Sequence, residues 1–467
     1  MEKDLVIVGG GPGGYVAAIR AAQLGLKAII VEKDRIGGTC LNRGCIPTKA
    51  FYRNAQLVHD IKRSEEFGIK LDGMTLDIGQ MLARKQQTVD RLVGGICQLL
   101  KANGVEVLEG TGKLTAGKTV EVTDAAGTVT SLAAKNILIA SGSTPLKPPI
   151  PGIESPGVVT SDEILNLEKI PESLVIIGGG VIGIEFAGIF NALGSQVTVV
   201  EYMPQILPSL DGDISKRLAL ALKKKGITLE TEVRVKEILQ TENGLVVSAE
   251  GKKGELVFSA ESVLVSTGRA ININGLNLDA VGIEYDKKGI KVNESYETNV
   301  PGIYAIGDVI GGQMLAHVAS EEGKAAVENM MGLKGHMNYN AVPGCVFTFP
   351  EVAAVGISEE EAKSRGITYS SSKFLFGANG KALTMGEEEG FVKVMADDTG
   401  KVIGVHIMGP HASDLIHEAA LAVENGLTVS QVAKTIHAHP TLSEAFVEAA
   451  MGTENRAIHM VPQRPRK

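Results

Sequence analysis

The chain has 467 residues, 44% of them hydrophobic and 21% charged, the composition of a core-forming protein rather than a disordered one. Its 46 basic and 54 acidic residues give a net charge of −8, and the longest basic run is only Lys223-Lys224-Lys225, no footprint for nucleic acid. Glycine fills 56 positions while aromatics supply 4%. That is far below the periodic third of collagen, and 17 prolines are too few for a Pro/Gly-rich disordered chain, so the glycines belong at particular tight turns.

The chain opens with Met1-Glu2-Lys3-Asp4 and passes straight into an apolar strand at Leu5 to Val8, without the basic start and apolar length of a signal peptide. The longest apolar stretch, Leu174 to Ile184, is interrupted by three glycines and ends at Glu185, far short of the ~20 residues of a membrane span. No membrane partner is expected, and a cytoplasmic location is.

The strand at Leu5 to Val8 runs into Gly9, Gly11 and Gly14 and then a helix. A second strand, Ala28 to Val31, ends on Glu32. The same pattern returns at an offset of 169: Leu174 to Ile177, then Gly178, Gly180 and Gly183, then Val197 to Val200 ending on Glu201. One G-x-G-x-x-G is weak evidence, but two copies agreeing at the turn and at the acid predict two Rossmann-like dinucleotide-binding modules. The glycines let the backbone approach a pyrophosphate, the helix N-terminus stabilises the anion and the acid takes a ribose hydroxyl. Glu201 would repel a 2′-phosphate and residues 202–207 contain no arginine, which favours NAD over NADP at the second module.

Each module later has a buried strand meeting a small-residue turn, at Ser141-Gly142 and at Thr267-Gly268, now at an offset of 126. The first module is thus longer by 43 residues. The extra length holds Cys40, Cys45 and a helical stretch expected from about Pro47 to Asn103. Four cysteines cannot form a stabilising disulfide framework, and a bridge closing so short a loop would add little stability. In a regular helix, positions five apart have Cα atoms roughly 8.6 Å apart, beyond the ~6.8 Å that a disulfide tolerates. A distorted turn is therefore predicted, helped by Gly44 and Pro47, with the thiols as a reactive, cycling pair.

Gly307-Asp308 follows a short strand and could bind a polyol, with Ala316-His317 opening the next helix; alone this is an ordinary turn. Beyond Pro343 the fingerprints stop. A hairpin (Phe391 to Met395, Val402 to Met408) and helices over Asp414 to Asn425, Val429 to Ile436 and Leu442 to Met451 predict a separate α+β domain, ending in a mobile basic tail from Pro462. Within it, His439 is a candidate base and Glu444 a carboxylate that could orient it. Thr441-x-x-Glu444 equally reads as a capping box, and the two readings stand side by side. Cys97, Cys345, His317, His406, His411 and His417 lack metal-ligand spacing and read as packing or surface residues, so no metal site is expected.

Together these residues resemble the pyridine nucleotide-disulfide oxidoreductases over essentially the whole chain, most specifically through Gly-Gly-Thr-Cys-Leu-Asn-Arg-Gly-Cys-Ile-Pro-Thr-Lys at 37–49 and Ala-His-Pro-Thr-Leu-Ser-Glu at 438–444. The resemblance implies FAD on the first fingerprint, contacted by Glu32, Lys33, Gly38, Thr39, Lys49, Gly112, Ser141, Gly142, Asp308 and Ala316. It implies NAD on the second, with Val181, Glu201, Val233 and Gly268 as contacts and Glu185 paired with Lys49. Cys45 would be the flavin-side thiol and Cys40 the one that exchanges with substrate, with His439 and Glu444 supplied by the other subunit of a homodimer. The implied architecture is a 1–145 FAD-binding domain, a 146–270 NAD-binding domain, a 271–340 segment completing the FAD site and a 341–467 dimerisation domain.

The resemblance implies oxidation of dihydrolipoyl groups, and the lack of an N-terminal Cys-x-x-Cys domain and of a C-terminal cysteine pair, with the acid at Glu201, argues against other members of the family. With no fused lipoyl domain, the substrate would arrive on a lipoylated carrier protein. A flavin-dependent reductase of another small disulfide is the alternative.

Overall fold

The computed structural model describes residues 3–461. Its first sheet is centred on the strand Lys3–Val8, flanked in parallel by Ala28–Glu32 and Val129–Ile139, with Glu106–Glu109 and Ile303–Ala305 outside them. Buried on both faces, the central strand sends Leu5 and Ile7 towards the helices and Val6 and Val8 towards an antiparallel meander carrying Leu114, Val120 and Val122. The helices Pro12–Gln23 and Ala316–Met330 cover the helical face. They approach closely because small residues meet there: a Cβ on Gly323 would lie 2.7 Å from the Gly13 carbonyl oxygen. The last strand, Ile303–Ala305, joins this sheet only after the chain has completed a second module.

That module repeats the plan. Ser173–Ile177 lies between Gln196–Glu201 and Ser262–Val265, all parallel, with Thr228–Thr231 and Val158–Val159 at the edges. Leu174 and Ile176 pack on the helix bearing Phe186 and Phe190, while Val175 and Ile177 pack on the meander strands Arg234–Thr241 and Gly244–Gly251.

The third sheet is antiparallel: Gly344–Val346, Glu351–Gly356, Val402–Gly409, Phe391–Asp397 and Tyr369–Leu375, in that spatial order. The expected hairpin is its centre, extended by two residues towards the turn on one strand, where Asp397 Oδ1 accepts the Thr399 and Lys401 N–H groups. Helices Ala412–Glu424, Val429–Lys434 and Glu444–Gly452 contribute to its core, close to the predicted ranges. The expected tail from Pro462 lies outside the described residues.

The helical stretch expected from Pro47 to Asn103 is two helices, Cys45–Lys62 and Ile78–Ala102. The sequence between them carries its own stop and start signals. Gly68 takes a left-handed φ of 76°, and Asp77 caps the second helix by accepting the Gln80 N–H at 2.9 Å.

Candidate active site

The two glycine turns share their dihedral and hydrogen-bond geometry. Gly9 and Gly178 both have φ of 111°, and each donates its N–H at 2.9 Å to the strand alongside, at Val31 O and Val200 O. Side chains are excluded here, since a Cβ would lie 2.3 Å from Ala140 O at Gly9 and 2.5 Å from Ser266 O at Gly178. Gly11 and Gly180 then place the helices Pro12–Gln23 and Val181–Leu193 with no side-chain cap, leaving first-turn N–H groups free for an anion. Gly14 and Gly183 sit behind the turns, where a Cβ would strike the carbonyl of Gly9 or Gly178. They pack helix on strand and do not form the cavity wall.

Both acids bind these turns as well as facing the cavity. Glu32 Oε2 accepts the Gly10 N–H at 2.6 Å and Oε1 the Asp34 N–H at 2.9 Å; Glu201 accepts Gly179 at 2.5 Å and Met203 at 2.6 Å in the same way. Each carboxylate closes its own loop and keeps lone pairs for a ribose hydroxyl. Burial raises the Glu32 carboxyl above its usual range, opposed by the Gly10 bond.

The thiol segment begins at the left-handed Gly37 and Gly38, where a Cβ on Gly38 would come within 2.7 Å of Gly11 Cα. A short helix, Gly38–Arg43, carries Cys40. It breaks at Gly44, with φ −130° and ψ −113°, and Cys45 starts the next helix. This irregular step brings the two thiols into hydrogen-bond contact. That bond lowers the Cys45 thiol to about 7, against burial that raises it and with help from the Lys49 charge one turn along. Cys40 moves the other way, held above the usual thiol range by its bond to Cys45 and by burial. Cys45 has open surface, but it faces the cavity, so neighbouring protein still desolvates it.

Lys49 Nζ donates to both oxygens of Glu185, at 2.9 and 2.8 Å. Glu185 lies on the helix that follows the second glycine turn, so this pair joins the thiol helix to the second module. The Phe347 N–H donates to Glu185 Oε1 at 3.0 Å, and the Phe347 ring lies 4.3 Å from Lys49 Nζ.

A continuous cavity of about 1940 Å³ connects the two modules. Its wall includes Glu32, Lys33, Gly38, Thr39, Cys40, Cys45, Lys49, Gly112, Ser141, Gly142, Asp308 and Ala316 on one side. Val181, Glu185, Glu201, Val233 and Gly268 line the other. Ala316 opens a third helix without a side-chain cap. Ser141 Oγ is buried and without a protein partner, and a Cβ added at Gly142, Gly180 or Gly268 would meet only open space. Uncapped helix ends, an orphaned hydroxyl and backbone left bare at the turns are donors and room of the kind that dinucleotides use.

His439 and Glu444 are not part of this wall. His439 Nδ1 and Glu444 Oε1 are 2.9 Å apart, while Glu444 Oε2 accepts the Thr441 N–H at 2.9 Å. The carboxylate therefore serves both readings at once, one oxygen each. The full capping box does not form: Thr441 Oγ1 donates to Ala438 O, and the helix begins at Glu444, after Ser443.

Several wall residues were not singled out from the sequence. Arg269 donates to Ser143 Oγ at 2.6 Å and to Ser143 O at 2.8 Å, and Ser143 Oγ in turn donates to Asp308. This fixes Asp308 across three separate segments. Buried Glu322 accepts the Gly307 N–H at 2.6 Å and braces the same turn. His317 and Cys345, read as packing or surface residues, line the cavity, with His317 Nε2 2.9 Å from Pro343 O. Arg234 also lines it, beside Val233, beyond the 202–207 window used to look for a cation. The Arg that follows Gly268 was a local signal; the others depend on distant segments meeting. Among the described residues no cluster of His, Cys, Asp and Glu could hold a metal, and no helix is long and apolar enough to cross a membrane.

Residues 3–323 match the family described as Pyridine nucleotide-disulphide oxidoreductase, and residues 342–450 match its dimerisation domain. The chain is 46% identical to dihydrolipoyl dehydrogenase of Bacillus subtilis, covering 98% of this chain and 99% of that one. It is 44% identical to the mitochondrial dihydrolipoyl dehydrogenase of Pisum sativum, covering 98% and 93%. Its fold matches the crystal structure of LpdA from Mycobacterium tuberculosis with a TM-score of 0.90 at 30% identity, covering 96% and 99%. With two dinucleotide modules, a thiol pair between them and a C-terminal dimerisation domain, the chain belongs to the pyridine nucleotide-disulphide oxidoreductase family and is an oxidoreductase that uses FAD and NAD.

Proposed function

We propose that this chain is a dihydrolipoyl dehydrogenase, oxidising dihydrolipoyl groups on a lipoylated carrier protein and delivering the electrons to NAD⁺. The observation that carries the reading is the Cys40–Cys45 contact in the wall of one cavity spanning both dinucleotide turns, with Lys49 one helical turn beyond Cys45. The first module, 1–145, with 271–340, holds FAD; 146–270 holds NAD; 341–467 forms the homodimer interface. A cytoplasmic location is part of the same reading.

The reaction starts from the Cys40–Cys45 disulfide. His439 of a second copy, its imidazole held by Glu444, takes a proton from one substrate thiol. The thiolate attacks Cys40 Sγ, the Cys40–Cys45 bond breaks, and Cys45 leaves as a thiolate beside Lys49. The second substrate thiol loses its proton to solvent and displaces Cys40, which takes the proton from His439 as lipoyl disulfide departs. FAD, when bound, supplies the two-electron relay that re-forms the disulfide and reduces NAD⁺. Lys49 and Glu185 hold charge at the junction of the two modules, and Glu201 holds the adenosine end of NAD.

Anaerobic two-electron reduction tests this directly. A long-wavelength thiolate-to-flavin absorbance is expected, together with turnover of dihydrolipoamide with NAD⁺ and little of glutathione disulfide with NADPH. Absence of the absorbance, or full lipoamide turnover by Cys45→Ser, sinks the reading.

A further inference from the structure

Phe347 engages both members of the Lys49–Glu185 pair. Its backbone N–H donates to Glu185 Oε1 at 3.0 Å, and its ring lies 4.3 Å from Lys49 Nζ, a cation–π contact. Two of the ammonium hydrogens face Glu185, leaving the third direction to be covered by the ring or by water. The ring is itself held edge-on to Tyr52 at 5.7 Å, and the Tyr52 hydroxyl donates to Thr348 O at 3.0 Å. Tyr52 and Lys49 lie one turn apart on the helix that begins with Cys45, so the dimerisation domain grips the thiol helix at the position of its lysine.

We propose that Phe347 is a positioning residue that docks the Lys49 ammonium on Glu185, so that the dimerisation domain, through one aromatic ring, sets the charge beside the Cys45 thiolate. The proposal rests on the reading of Cys45 as the flavin-side thiol. The physical basis is local. A ring that covers the ammonium excludes water from one side and stabilises the paired arrangement, and Lys49 is a cation that favours the Cys45 thiolate while Glu185 opposes it. An aliphatic residue of similar volume would fill the space without attracting the ammonium.

Two readouts separate this from a packing role. In the purified enzyme, acylation of Lys49 by an N-hydroxysuccinimide ester, followed by peptide mapping, should rise about fivefold in Phe347→Leu, the loss of a cation–π preference of that size. Phe347→Tyr should remain protected, and the buried Lys85 and Lys393 should be unchanged in all variants. At fixed pH, the thiolate-to-flavin absorbance of the two-electron-reduced enzyme should fall in Phe347→Leu and persist in Phe347→Tyr. Phe347→Met, which fills the volume with an adaptable side chain, replaces the leucine variant if that fails to fold. Wild-type Lys49 acylation in the leucine and methionine variants, or equal loss of protection in the tyrosine variant, overturns the proposal. A wild-type enzyme lacking the thiolate absorbance overturns the functional reading instead, and the acylation result still decides whether Phe347 docks Lys49.

Discussion

Glu444 holds His439 with its carboxylate 2.9 Å from the imidazole Nδ1, on a loop where the imidazole is 78% exposed and lies outside the cavity that contains Cys40 and Cys45. One chain therefore carries the thiol pair and the histidine–carboxylate pair without bringing them together. In the proposed mechanism Nε2 would meet a substrate thiol bound against another copy, and the dimerisation domain would then have a chemical role as well as an adhesive one.

His439→Gln is expected to lower dihydrolipoamide oxidation by about 10²- to 10⁴-fold, the usual contribution of a general base. NADH-driven reduction of an artificial one-electron acceptor should survive, because it bypasses the substrate thiols. Mixing this variant with Cys45→Ser under conditions that exchange subunits should restore lipoamide turnover. In the mixed dimer one site then has intact thiols and the neighbour's intact base. No recovery would place the base and the thiols in one chain.

The Cys45 thiol, lowered to about 7 chiefly by its hydrogen bond from Cys40, should gain thiolate absorbance as pH rises through that value in the reduced protein. Cys40→Ala removes the donor and should move the midpoint up towards the ordinary thiol range near ~8.5. Lys49→Met should move it in the same direction, since it removes a positive charge that favours the anion. A midpoint unmoved by Cys40→Ala would show that the contact between the two sulfurs is not what lowers it.

The two glycines of the second turn should fail in different ways. At Gly183 a Cβ would lie 2.1 Å from Gly178 O, so Gly183→Ala should reduce thermal stability and soluble yield. At Gly180 nothing protein-borne stands within 4 Å, so Gly180→Ala should fold with an unchanged melting temperature. It should nonetheless raise KM for NAD⁺, because on the proposed reading the added methyl would stand in the path of the pyrophosphate. Equal thermal losses in the two variants would contradict this division.

Lys393, 1% exposed, reaches both oxygens of fully buried Asp211 at 2.9 and 2.8 Å, Asp213 at 2.7 Å and Glu359 at 3.1 Å. The cluster ties the helix Gly212–Lys224 of the second module to the dimerisation domain. Lys393→Met strands the fully buried Asp211 carboxylate and should cost about 3–5 kcal/mol in denaturant unfolding. Burial works against the Asp213 charge, yet Lys373 and Lys393 hold its carboxyl down at about 2. Its folded pKa lies below the unfolded value near ~3.9, so its contribution is present above that value and fades as pH falls towards 2. The wild type should therefore lose more stability than Lys393→Met between pH 4 and pH 2.

The repeated turns were legible because their chemistry is local. A strand, three spaced glycines, a helix and an acid are contained in the 28 residues from Leu5 to Glu32, and the offset of 169 from Gly9 to Gly178 and from Glu32 to Glu201 carries the whole pattern. The irregular step between Cys40 and Cys45 was legible for the same reason, since a regular helix cannot bring positions five apart together and Gly44 supplies the break. Less visible was the second task of Glu32 and Glu201, closing their own glycine loops, because backbone N–H direction depends on how the turn is folded.

Two dinucleotide modules, a reactive thiol pair in the longer one and a candidate histidine–carboxylate pair near the C-terminus can be read from local patterns along the chain. Which groups share a space depends on how distant segments pack. That packing brought Asp308, Ser143 and Arg269 together from three segments and set Phe347 over Lys49 from another domain. It also kept His439 out of its own chain's cavity. The physical reason is that turn and helix-break signals act over a few residues, whereas an ion pair, a ring over an ammonium or a shared cavity depends on packing between segments hundreds of residues apart, which no local spacing encodes.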